Sequence, residues 1–223
     1  MYEAVVSVLL FDSDKCDLAP GVPMVDKQLD KALVTRNQTV YTYSYLWFAA
    51  NDALRRGLES ERGGYQFLSS IVLFAFTVEA FVNNAALSLV PDFEEFERKK
   101  TGEKFDFVCE RLGVSFPGGV GARPLQTLVD VFKFRNAMAH GKTTTLRPDP
   151  KTVVVSQKLE SILSARPMTN WEPRIHNSKF AERAREDVEK ILNAIHMARP
   201  KPTEPLFMLG EGSGRAVPLD DES

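Results

Sequence analysis

The chain has 223 residues, a hydrophobic fraction of 43% and a formal net charge of −2. That length and apolar content allow one sizeable domain with its own core, and the near-neutral balance excludes the basic footprint of a general nucleic-acid binder, so any RNA contact must be a local patch. Two isolated cysteines, Cys16 and Cys109, make neither a disulfide framework nor a metal site and fit a reducing cytoplasm.

Residues 1–11 are apolar and carry Val5, Val6 and Val8, which suits either a short strand or an N-terminal helix. They lack a basic n-region and a small-residue cleavage site, so no signal peptide is expected. Residues 12–26 contain Pro20, Gly21 and Pro23 and read as a loop, followed by a short helical turn over 28–34. Asn37 is the expected N-cap of a long helix reaching Leu58, with Tyr41, Tyr45, Phe48, Ala49 and Asp52 at helical spacing. Gly63-Gly64 breaks the pattern, and a strongly apolar helix is expected over 67–90, ended by Pro91. Its length would suit a membrane span, but Glu79, Asn83 and Asn84 fall in its middle, and a central glutamate is costly in lipid. A buried bundle helix, with no membrane involved, is the expectation. Shorter helices are expected over 93–100 and 105–112, then a glycine-rich loop over 116–121.

The next helix, over 125–140, opens after Pro124 and stops at Gly141. Leu125, Leu128, Val129 and Phe132 form one stripe that turns polar at Arg135, Asn136 and His140; Val131, Phe134 and Met138 form a second apolar face. A helix apolar on two faces is expected to be sandwiched. Beyond it, β-branched runs at 143–146 and 152–155 flank Arg147-Pro148-Asp149-Pro150 and suggest a hairpin or extended arm. Residues 157–165 read as a short helix or turn, 168–175 as a packed loop around Trp171, and 180–198 as an amphipathic helix. From Arg199 the prolines and glycines argue for a disordered tail over 199–223.

Arginine, asparagine and histidine together suit chemistry on a phosphodiester. Arginine offers a permanent charge in a fork that matches phosphate oxygens, histidine moves protons near neutral pH, and asparagine orients either by hydrogen bonding. On a regular helix Asn136 and His140 share a face, whereas Arg135 and His140 diverge by roughly 140° at about 100° per residue. Two copies meeting across a symmetric interface would bring them together. The plainer alternative is a helix end whose arginine pairs with a core carboxylate and whose histidine caps carbonyls.

Arg135-Asn136-Ala137-Met138-Ala139-His140 resembles the signature of the HEPN superfamily: an arginine and a histidine a few residues apart, often with a polar residue beside the arginine. Here four residues separate them and Asn136 is the polar neighbour. The stretch Phe76-Thr77-Val78-Glu79-Ala80-Phe81-Val82-Asn83-Asn84-Ala85-Ala86-Leu87 is similar to the long helix that precedes the motif helix in such proteins, so the resemblance covers residues 37–142. It implies an all-α bundle that dimerises. Many members are metal-independent RNases of toxin–antitoxin or antiviral systems, and others are silent RNA-binding or scaffold modules. The tyrosine that some toxin members carry two positions after the histidine is replaced by Lys142, which sets this chain apart from that subgroup and its nucleotidyltransferase antitoxin.

A lone carboxylate amid apolar helix, such as Glu79, is expensive unless paired. Arg135 is one partner for it; Asn136, His140 or a lysine at the bundle rim are others, and Asn83 one turn along would join the same network. Lys133, Arg135 and Lys142 make the expected cationic patch. His176 and His196 lack the companions of a zinc site, Asp130 with Glu79 is no two-metal cluster, and neither a phosphate-binding loop nor a nucleophile elbow occurs, so no cofactor or metal is called for. Arg55-Arg56 and Arg98-Lys99-Lys100 read as solvated surface charge.

The expectation is therefore a mainly α, HEPN-like bundle over residues 1–198, with an N-terminal extension, a small β-hairpin after the motif and a disordered tail. It would act as a cytoplasmic homodimeric endoribonuclease of a defence or toxin system, answering to an antitoxin or defence partner. Arg135, Asn136 and His140 would be catalytic, Glu79 and Asn83 supporting, and Lys133 and Lys142 RNA-binding. A silent module binding RNA or a partner protein is the alternative.

Overall fold

The computed structural model describes residues 32–147, 167–200, 202 and 204–218. It divides into a helical unit, Tyr41–Met208, and a second unit formed by the residues before and after it.

The helical unit begins with α1 (Thr42–Glu59) and α2 (Gly64–Ala86). Tyr43, Trp47, Ala50, Leu54 and Gly57 recur on one face of α1 at steps of three and four, and all are buried. They meet α2 in an antiparallel hairpin: Tyr43 sits edge-on to Phe81 at 5.1 Å between ring centroids, and Trp47 lies 5.3 Å from Phe74. The turn end closes tightly because position 57 is glycine; a Cβ there would lie 2.6 Å from the Phe67 ring.

After Pro91, the one-turn helix α3 (Phe93–Glu97) starts at Asp92, whose side chain accepts a hydrogen bond from the Glu95 amide at 3.1 Å. Helix α4 (Thr101–Leu112) buries Phe105, Val108 and Cys109 and ends at Gly113, which takes a left-handed conformation (φ 66°). Burial pushes the Cys109 thiol up to about 12, so it acts as a small apolar side chain rather than a nucleophile. Then come α5 (Leu125–Ala139) and α6 (Lys179–Ala198). Helix α6 buries Phe180, Ala181, Ala184, Val188, Ile191, Leu192 and Ile195, and the two helices pack with α2 around one core. This core explains how α2 can be long and apolar enough to cross a membrane and yet have Ile71, Phe74, Ala75, Val78, Phe81 and Val82 fully buried among other helices.

Two ion pairs that link separate elements brace this packing. Asp187 is 1% exposed on α6 and accepts from Arg123 at 2.6 and 2.9 Å. Burial pushes its carboxyl up, but the hydrogen bonds and charge of Arg123 outweigh that and hold it below the usual carboxylate range. Arg174 donates to the Asp130 carbonyl at 2.8 Å and to its carboxylate at 3.1 Å, tying the 172–174 turn to α5.

The second unit holds β1 (Ala32–Val40) and β2 (Gly210–Pro218), paired antiparallel in the register Ala32↔Pro218 through Val40↔Gly210. Both strands depart from expectation. Asn37 is a strand residue and not a helix N-cap, because Leu33-Val34-Thr35 and Thr39-Val40 surround it with β-branched residues. The small sheet also lies elsewhere than after the motif: 141–147 hold no regular structure, and the expected partner run at 152–155 lies outside the described residues. The stretch expected to be a tail is ordered over 204–218. Leu206 is buried, the Phe207 ring stacks on Trp47 at 4.4 Å, and Gly210–Pro218 is paired along its length. The readings of 1–11, 12–26 and 157–165 also lie outside the described residues.

Candidate active site on the motif helix

The buried face of α5 carries Thr127, Leu128, Val131 and Phe134. Phe134 packs near Trp171 and Phe180, each 6.5 Å away between ring centroids. Leu125, Val129 and Phe132 are only half-buried, so α5 has one deeply buried face instead of two. Helices α2 and α6 both pack on α5, with Phe134 near Phe180 of α6 and Arg135 against Glu79 of α2. Asn136 and His140 therefore stand exposed, and the polar switch falls on the open side of the helix.

Arg135 lies at the edge of the buried face and points toward α2. Its Nη2 donates to Glu79 Oε2 at 2.7 Å, with both side chains largely covered. The guanidinium sits between two rings, 5.6 Å from the centroid of Phe76 and 5.9 Å from that of Phe132. Its Nε is buried without a hydrogen-bond partner. Among the partners open to Glu79 in sequence terms, the arginine is the one it takes. The second carboxylate oxygen, Oε1, accepts from the Thr101 hydroxyl of α4 at 3.0 Å. One turn along α2, Asn83 Oδ1 accepts from Lys104 Nζ at 3.0 Å. Lys104 is only 3% exposed, so its stem is part of the core lining and its ammonium is held by Asn83.

Glu79 and Asn83 thus form one polar row on α2, clamped from α4 by Thr101 and Lys104 and from α5 by Arg135. Asn83 joins through Lys104 and not through Arg135 itself. Thr101 and Lys104 are functional neighbours that the sequence pattern does not single out. The available signal is a lysine at a core position of the amphipathic α4, between Thr101 and Phe105. The run Arg98-Lys99-Lys100, directly before Thr101, is exposed, as expected of solvated surface charge.

The remaining site residues lie around the helix from Arg135. Lys133, Asn136 and His140 follow at steps of three and four and share one open face, all exposed. The His140 amide donates to the Asn136 carbonyl at 3.0 Å, closing the helix, while neither side chain makes a hydrogen bond to another described residue. Lys142 is exposed just past the helix end. One chain therefore presents two separate features: a braced arginine on one side of α5, and an unpartnered Lys133–Asn136–His140 stripe on the other. Among the described residues no group of three or more His, Cys, Asp or Glu side chains is placed to hold a metal ion.

No family model matches the chain, and neither a curated protein nor a solved structure matches it.

Proposed function

We propose that the chain is a metal-independent endoribonuclease of the HEPN type, from a bacterial defence or toxin–antitoxin system, acting in the cytoplasm as a homodimer. The observation that carries this reading is the contrast on α5: Arg135 is oriented by Glu79, while Asn136 and His140 are exposed and their side chains have no hydrogen-bond partner among the described residues. Polar side chains at a helix end that serve no internal hydrogen bond are available to a substrate.

Metal-free cleavage of RNA requires the 2′-hydroxyl to lose a proton, the pentacoordinate phosphorus to be stabilised and the 5′-oxygen to gain a proton. His140 takes or delivers these protons. Glu79 engages Nη2 of Arg135, and the rest of the guanidinium edge binds the scissile phosphate and its growing charge. Asn136 orients the substrate or the histidine, and Lys133 and Lys142 hold flanking phosphates. Because Arg135 and His140 diverge around one helix, the site is composite, with two copies of α5 facing each other across a two-fold axis. The products carry a 2′,3′-cyclic phosphate, or its hydrolysed form, and a 5′-hydroxyl.

A second reading, a silent module that binds RNA or a partner protein through the same surface, is favoured by one observation: the Glu79 carboxylate already neutralises Arg135. The two readings separate in an RNase assay on purified protein in EDTA. Cleavage that survives the chelator and disappears in a folded His140→Ala variant supports the enzyme. RNA binding without cleavage supports the module.

A further inference from the structure

We infer that the β1–β2 ribbon is a self-association element, in which β2 pairs antiparallel with β2 of a second copy to make a four-stranded sheet of order β1-β2-β2-β1. Two observations lead to a second copy as the occupant.

The first is that the ribbon is incomplete by itself. Every residue of β1 is exposed, with Leu33 60% and Val34 55% open, and residues 211–217 of β2 are exposed too. Two-stranded ribbons without a covered face are marginal in water. Among the described residues no third strand satisfies either outer edge, and an open edge is a template for further pairing.

The second is the charge pattern of β2, Gly-Glu-Gly-Ser-Gly-Arg-Ala-Val-Pro. Glu211, Ser213, Arg215 and Val217 share one face, because side chains alternate along a strand. A two-fold axis through Ser213 sets Glu211 of each copy directly opposite Arg215 of the other. Ser213 then meets its own equivalent, and both ion pairs form at once, as an isologous contact requires. β1 carries Arg36 and no carboxylate, so no register of β1 against itself makes an ion pair, which selects the β2 edge.

The test is cysteine cross-linking in the full chain, with Cys16→Ser and Cys109→Ala removing the native thiols. Opposed residues of an antiparallel pair have Cα atoms about 4.5–5.5 Å apart, within reach of a disulfide. Ser213→Cys should give a disulfide-linked dimer under mild oxidation, whereas Gln38→Cys on β1 should not. Arg215→Glu should weaken the association roughly ten- to thirtyfold, since two attractive pairs become repulsive, and the Glu211→Arg/Arg215→Glu double variant should restore it. Circular dichroism checks that each variant keeps its helices. A folded Ser213→Cys chain that stays unlinked, or Gln38→Cys linking equally well, overturns the proposal; so does a charge swap that fails to restore association. Copies that associate without the Ser213 link meet elsewhere, or the edge is taken by another protein or by another segment of the same chain. The cross-link reads β2 alone, so its outcome is independent of whether the α5 site cleaves RNA.

Discussion

The two sides of α5 are built for different purposes. On the α2 side, Arg135 is fixed by a carboxylate, flanked by two rings and continued by Thr101, Asn83 and Lys104 from neighbouring helices. On the open side, Lys133, Asn136 and His140 share an exposed stripe with no side-chain hydrogen bond among the described residues. Removing a group from the first side strands its partner and costs stability. Removing one from the second should change stability by less than about 0.5 kcal/mol, so a loss of function there reads binding or chemistry. The contrast makes stability and activity separable on one helix, and single substitutions can sharpen or break it.

The largest combined effect is expected for Arg135→Ala. It leaves Glu79 with only Thr101 and opens the space between Phe76 and Phe132. A fully buried pair broken in this way costs about 3–5 kcal/mol; this one is partly exposed, so roughly 1–3 kcal/mol is expected in urea unfolding. RNA binding should weaken as well, because in the proposed mechanism the arginine touches phosphate in both ground and transition states. Arg135→Ala with wild-type stability would show that the brace carries no energy and would erase the distinction between the two sides.

Asp187 offers the pH-dependent counterpart. Its folded-state pKa is depressed below the unfolded value of about 3.9. The stabilisation from its pairing with Arg123 is therefore fully present above the unfolded value and is lost as pH falls through the folded one. Asp187→Ala should cost about 1–3 kcal/mol at neutral pH, and the difference from wild type should shrink in acid. A difference that stays constant to about pH 2, well below the unfolded value, would mean that the carboxylate charge is not what stabilises α6 there.

Smallest are the effects of Lys133→Ala and Lys142→Ala. Stability should change by less than about 0.5 kcal/mol, and the salt dependence of RNA binding should flatten by about one unit of slope for each phosphate left without its lysine. Binding that is indifferent to both lysines at every salt concentration would remove the open stripe from the RNA path.

The helices are legible in the sequence because their signals are local. Apolar residues at steps of three and four mark α2, α5 and α6, and Pro91, Pro124 and Gly141 punctuate them. What is not legible is information held in partners far along the chain. A stripe on α5 does not say which of two apolar faces other helices will choose, so the pattern puts Asn136 and His140 on a buried stripe when in fact they are open. The ribbon pairs residue 32 with residue 218, and neither β2's glycines nor the isolated Asn37 carries a local sign of that. Glu79 is legible as a carboxylate in need of a partner, since burying it alone is costly. Thr101 and Lys104 are not, because in a charged amphipathic segment they look like any surface residue.

In the proposed mechanism cleavage without a metal depends on the histidine, and the most direct measurement is the RNase activity of a folded, dimeric His140→Ala protein beside wild type, both in EDTA. His140 is exposed, so its removal should cost little stability. Thermal unfolding should be unchanged and RNA binding close to wild type, while cleavage should fall by at least about 10²-fold, the usual contribution of a positioned proton-transfer group. Full cleavage by that variant, or wild-type cleavage abolished by EDTA and restored by magnesium or manganese, would contradict the proposed mechanism.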